Sequence, residues 1–271
     1  MPRTSGESSS IEGQRCLAMR AEKGRRLRVP LYKQTTDFTC GACATLMVWR
    51  YFDKKVKLSK QNEFLTWTDI MALPFKFSSP YRIAMFFLKK SFETKLITSE
   101  TSSDSVARFV CQRVDRAERK LFLRFFKAHN DLLKKRIGSS ILHRKPTVAD
   151  IRSALTARNP VIVLVDSYYT MKDRGMHNAP HAPHWVVVTG YDGGKFHVND
   201  SIREECRRPG KLMMTDHAIR KAMDTYRRFG WASALIVIAK KVNANPRSNR
   251  FSNCERLANE PTHSPKTTFT L

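Results

Sequence analysis

An α+β fold is predicted by three features of this 271-residue chain. Apolar residues fall at helical spacing through most of the first half, as in Ala44, Met47, Val48 and Tyr51. In the second half they form short continuous runs, as in Val161 to Val165 and Trp185 to Thr189. The two kinds of segment do not alternate as βαβ units would, so a helical first half packs on an antiparallel sheet built from the second half.

The elements follow in order. Arg28 to Tyr32 is a short extended entry interrupted by Pro30. Cys40 to Phe52 is a helix, and Pro80, tolerated in a first turn, opens another from Tyr81 to Lys90. Phe92 to Thr98 alternates like a strand, and Thr101 to about Ile137 reads as one or two strongly basic helices. Thr147 to Asp150 has the pattern of a capping box and starts a helix that Pro160 stops. The apolar run from Val161 is a buried strand. The run from Trp185 is another, joined through a Gly193-Gly194 turn to a strand over Lys195–Asn199. Thr215 caps a helix reaching Phe229, Gly230 ends it, and Ala232 to Ala239 is the last strand. Residues 1–27 read as a flexible basic lead-in, 28–241 as the folded domain and 242–271 as a disordered tail.

Composition excludes several classes. Hydrophobic residues make up 41%, enough for a sizeable core, and no run approaches the length of a membrane-spanning helix. Six cysteines are too sparse for a disulfide scaffold, and the N-terminus lacks the apolar core of a secretory signal, which points to a reducing, cytoplasmic setting. The charge is the unusual feature: 49 Lys and Arg against 24 Asp and Glu, a net +25. It belongs to the central domain and is thickest over residues 112–137, where nine basic residues face three acidic ones. In that segment Leu121, Phe125, Leu132 and Leu133 are expected to face the core, with the charges solvated.

Cys40 opens its helix, where unpaired N–H groups and the positive end of the dipole favour a thiolate. Gln34, six residues earlier, lies on the preceding loop, within reach to aim an amide N–H at an oxyanion beside the thiol. His184 starts a buried strand, and Asp200 follows the strand joined to it by the hairpin, so both fall at one end of the sheet. The acid can then orient the imidazole, and the imidazole can pair with the thiol.

This pattern resembles the papain-like cysteine peptidases of the bacteriocin-processing, double-glycine-leader type, and more closely their stand-alone bacterial relatives. The resemblance rests on Val29-Pro30-Leu31-Tyr32-Lys33-Gln34-Thr35-Thr36-Asp37-Phe38-Thr39-Cys40-Gly41, on Pro160 to Asp166, on Pro183-His184-Trp185 through Asp192, and on Val198-Asn199-Asp200. It implies a papain-like α+β fold and a peptidase acting on a peptide or protein without a cofactor. In it Cys40 is the nucleophile, His184 the general base, Asp200 the orienting acid and Gln34 the oxyanion donor. The chain departs from the pattern at three places. Ala42 stands where a proline is usual, Ser201 follows Asp200 where a proline is common, and Phe75-Lys76-Phe77-Ser78-Ser79-Pro80 replaces a glycine-rich segment. No transporter domain follows in the sequence.

Other chemistries fit parts of the pattern. The same thiol–imidazole apparatus can transfer an acyl group or deamidate a side chain. Cys40 and Cys43 with His181 and His184 have the makings of a zinc site, although the halves are far apart in sequence. The basic residues interleaved with Phe122, Phe125 and Phe126 suggest a nucleic-acid-binding protein, but no recognised binding motif accompanies them. With an enzyme, the charge implies attraction of an acidic peptide.

Overall fold

The computed structural model describes residues 25–72, 75–100, 114–202 and 210–241. The lead-in up to residue 24, the tail from residue 242, the expected helical stretch over 101–113 and Cys16, Cys111, Cys206 and Cys254 lie outside these residues. The fold is α+β, with one mixed sheet and helices on both of its faces.

The strands are β1 (Arg25–Arg26), β2 (Phe92–Thr98), β3 (Ile141–His143), β4 (Val161–Asp166), β5 (Pro183–Asp192), β6 (Lys195–Asn199), β7 (Lys211–Thr215) and β8 (Ala234–Lys240). They lie in the order β3-β2-β8-β4-β5-β6-β7. β1 pairs with β5 at Gly190 and Tyr191, so sheet pairing starts ahead of the domain boundary expected at residue 28. Every pairing is antiparallel except β2 with β3. The helices are α1 (Cys40–Phe52), α2 (Lys60–Ile70), α3 (Pro80–Lys89), α4 (Arg119–Ile137), α5 (Val148–Thr156), α6 (Ser167–Asp173), α7 (Asp216–Met223) and α8 (Thr225–Phe229).

The apolar run of β4 has a simple cause. Ile162 and Leu164 join one core with α1, α3 and α4, while Val161, Val163 and Val165 join a second with α5 and α7. A strand covered on both faces has no polar side to alternate with. The second-half helices therefore cover the sheet face that the first-half helices leave open, an arrangement the sequence reading had not anticipated.

The capping box of α5 forms as expected, with Thr147 accepting from the Asp150 N–H and Asp150 from the Thr147 N–H. Several elements differ from expectation: β3, α6 and β7 were not expected, and the helix expected from Thr101 has not begun at residues 114–118. The helix expected from Thr215 to Phe229 breaks at Asp224, because the Met223 carbonyl accepts from the buried Ser233 hydroxyl and Asp224 turns to Lys145. Helix α2 gave no apolar stripe because its inward positions are Glu63, Thr66 and Ile70, two of them polar. In α4 the buried stripe is Phe126, Asn130, Leu133 and Ile137. Of the four residues expected to face the core only Leu133 does; Leu121, Phe125 and Leu132 are 71%, 50% and 44% exposed. Phe126 sets this rotation by entering a cluster with Ala72, Phe75 and Phe77, and the polar Asn130 completes the stripe. Among the described residues no helix is long and apolar enough to cross a membrane.

Candidate active site

The loop leading into α1 hangs on one buried carboxylate. Glu63, on the inward face of α2, accepts from the Tyr32 hydroxyl at 3.0 Å, from the Thr35 N–H at 2.8 Å and from the Thr39 hydroxyl. Because Thr39 spends its side chain on Glu63 and Thr36, it makes no side-chain cap, and the first N–H groups of α1 stay available to the thiol of Cys40. Gly41 permits close packing here: a Cβ on it would meet Ser78 Oγ at 2.3 Å and Trp185 Cδ1 at 3.1 Å. The turn of chain after Cys40 therefore seats directly on the Ser78 and Trp185 side chains.

Antiparallel pairing of β5 with β6 brings the distant partners together. Val187 lies opposite Asn199, so His184, on the incoming strand, and Asp200, just past the outgoing one, meet at one sheet end. Their side chains bond, His184 Nε2 to Asp200 Oδ1, at 2.7 Å. The imidazole also lies close enough to the Cys40 thiol for each to shift the other's pKa, and with Nε2 engaged by Asp200 the nitrogen left for sulfur is Nδ1. Cys40, His184 and Asp200 are all buried, at 9%, 4% and 0% exposure.

The electrostatics favour an ion pair. Burial by itself raises the Cys40 pKa, but the His184 charge and hydrogen bond, with the N–H groups of Trp185 and Gly41, outweigh it, and the thiol falls below its usual range. Burial by itself lowers His184; Asp200 and the Cys40 thiolate reverse this and lift it to about 10. Burial by itself raises Asp200; His184, then Arg174 and the Ile202 N–H, hold it at about 2. These directions favour thiolate, imidazolium and carboxylate in an alternating row of charges, an arrangement that can present a cysteine as a nucleophile with its proton held on a base.

Gln34 is buried beside this row. Its N–H donates to the Ser201 carbonyl at 2.8 Å, and the Ser201 hydroxyl donates to its Oε1 at 2.8 Å. Its Nε2 donates one hydrogen to the Thr36 carbonyl at 2.8 Å, which leaves the second. The serine that stands in place of proline after Asp200 therefore fixes which end of the Gln34 amide carries the donor.

Arg174 was missed by sequence reasoning. It is buried, with Nη2 3.2 Å from Asp200 Oδ2 and further contacts to the carbonyls of Ile202 and Asp200. Gly210 lets the backbone pass close to Asp200, since a Cβ there would run into the Asp200 carbonyl. An isolated arginine after a short helix carries no local pattern, so only the fold reveals it.

The zinc alternative is not assembled. Cys43 lies near Glu63, and its pKa is raised, first by burial and then by that carboxylate. His181 bonds Asp166 through Nδ1 at 2.7 Å and packs on Tyr168, away from Cys43. The four residues do not converge, and among the described residues no cluster of His, Cys, Asp and Glu has metal-binding geometry.

A cleft of about 350 Å³ opens beside Cys40. Phe77, Trp185 and Trp231 form much of its wall.

A family model described as "Peptidase C39 like family" matches residues 29–237. Among solved structures, the chain is similar to a double glycine motif protease from an AMS/PCAT transporter in complex with the leader peptide, at 13% identity and a TM-score of 0.41, over 79% of this chain and 94% of that one. It is also similar to a protein described as a C39-like peptidase from Bacillus anthracis, at 10% identity and a TM-score of 0.42, over 80% of this chain and 98% of that one. No curated protein matches the sequence. With the matched span reaching from the first residues ahead of the Cys40 loop to the last strand of the sheet, the chain belongs to the Peptidase C39-like family.

Proposed function

We propose that this protein is a cysteine peptidase that hydrolyses a peptide bond in a peptide or protein substrate. The observation that carries the reading is the row Cys40–His184–Asp200 at the N-terminus of α1, with His184 hydrogen-bonded to Asp200, coupled electrostatically to Cys40, and Cys40 lining a cleft. The Cys40 thiolate attacks the scissile carbonyl carbon, forming a C–S bond and an oxyanion. The Gln34 amide and the Cys40 N–H donate to that oxygen. His184 passes its proton to the leaving nitrogen as the C–N bond breaks. A water then gives a proton to His184 and attacks the thioester, releasing the acid and restoring the thiolate. Asp200 holds the ring throughout and stabilises its charge.

The test is labelling with a thiol-reactive peptide electrophile near pH 7, followed by mapping of the adduct. Cys40 is expected to be modified and Cys43 spared, because the thiolate is the reactive form, Cys40 is lowered and Cys43 raised. Equal modification of both would remove the assignment.

The net charge of +25 favours an acidic substrate segment. If it steers substrate, kcat/KM for an acidic peptide falls as salt is raised through the range where the Debye length drops to about 10 Å, while that for a neutral peptide holds. Equal salt response of the two peptides would remove the steering.

A further inference from the structure

Phe75 to Ser78, within the segment that departs from the family pattern, form one wall of the cleft beside Cys40. Phe75 and Phe77 stack with their rings 7° from parallel and centroids 5.3 Å apart. Phe77 in turn tilts against Trp231 at 4.7 Å. Leu164, Pro183 and Trp185 close the opposite side from β4 and β5. Charged groups enter only at the rim, as the exposed Asp37 and Lys76.

This wall is built rigidly. The Lys76 carbonyl accepts from the Trp67 indole at 2.8 Å, the Phe77 carbonyl from the Ala72 N–H at 2.7 Å, and Ser78 bridges to Met71. Behind it, Phe75 packs on Phe122 and Phe126 of α4. A glycine-rich strand in this place would leave its backbone polar groups against substrate. Here aromatic faces line a pre-formed cavity whose volume is near the small end of ligand sites, enough for one large side chain and the chain beside it.

We propose that this cleft is a specificity pocket for a bulky apolar side chain, aromatic or large aliphatic, on a residue close to the scissile bond. The inference rests on the peptidase reading, since Cys40 lines the same cleft and is the atom that places the pocket next to the bond being cut. Burying such a side chain against Phe77 and Trp231 removes its apolar surface from water, whereas glycine or a charged side chain leaves the aromatic wall wet or buries a charge unpaired. The discrimination expected is roughly ten- to hundredfold in kcat/KM over glycine at the same position.

The experiment is cleavage of a mixed-sequence peptide library by the full chain, with the products sequenced. The expected result is enrichment of Phe, Leu, Met, Tyr or Trp at one fixed position near the cut, and a weakened preference in Phe77→Ala. If Phe77→Ala does not fold, Phe38→Ala, at the outer edge of the cleft, takes its place; a preference unmoved in a folded variant overturns the pocket assignment. Cleavage with no preference, or with glycine preferred, overturns it while leaving the peptidase reading standing. No cleavage together with no modification of Cys40 by a peptide electrophile overturns both.

Discussion

Cys40→Ala is expected to lose peptide hydrolysis by roughly 10⁴-fold or more in kcat, because no other group occupies the position that attacks the carbonyl. His184→Ala is expected to lose comparably, and the double variant little more than either, since the two residues act as one unit. Cys43→Ala is expected to keep turnover within about threefold, because its thiol faces Glu63 rather than the cleft. Steady-state kinetics on one peptide, with thermal unfolding to show that each variant folds, decides this. A Cys40→Ala protein that still turns over would end the mechanism. The pH profile adds a second reading. The active ion pair needs a thiolate and a protonated ring, so activity rises at a pH below the usual thiol range and persists until His184 loses its proton near 10. An ordinary cysteine with an ordinary histidine would instead show its optimum confined near the usual imidazole and thiol values.

Arg174→Met is expected to lower stability by about 3 kcal/mol, the low end for breaking a buried ion pair, since His184 still partners Asp200. Asp200 is fully buried, and Arg174 is the cation next to its Oδ2, while Oδ1 serves His184 and the Ile202 N–H. A carboxylate held at about 2 when folded, against 3.8 as the ordinary value, contributes stability above 3.8 that is lost as pH falls toward 2. Removing Arg174 raises the folded value, so less of that stability remains and acid unfolding begins at a higher pH. His184 has the opposite sign. Held at about 10 against 6.5, it contributes stability that is complete below 6.5 and is lost as pH climbs toward 10. Urea unfolding at several pH values measures both slopes. An Arg174→Met protein whose midpoint matches the parent from neutral to acid pH would show that the pair contributes nothing net.

Much of the candidate site's arrangement was legible in the sequence because its residues sit at element boundaries. Cys40 at the first position of α1, His184 at the start of β5 and Asp200 just past β6 are placed by rules of local structure. A tight Gly193-Gly194 turn with both glycines at positive φ then puts the last two at the same sheet end. Glu63 and Arg174 were not legible. Each is a charged residue that ordinary patterning sends to solvent, and each is buried only because several partners from remote segments converge on it. The α4 register was misread for a related reason: adjacent Phe125 and Phe126 offer two apolar stripes of similar strength, and contact with Phe75 and Phe77 selects between them.

The sequence by itself determined the helix carrying the thiol, the hairpin carrying its partners and the excess of positive charge, because backbone periodicity, caps and glycine turns are local properties. Only the tertiary structure decided which buried ion stands behind Asp200, which hydroxyl locks the Gln34 amide and what lines the cleft. Those depend on segments far apart in sequence meeting where water is excluded, and there an unpaired charge or hydrogen-bonding group is too costly to leave without a partner.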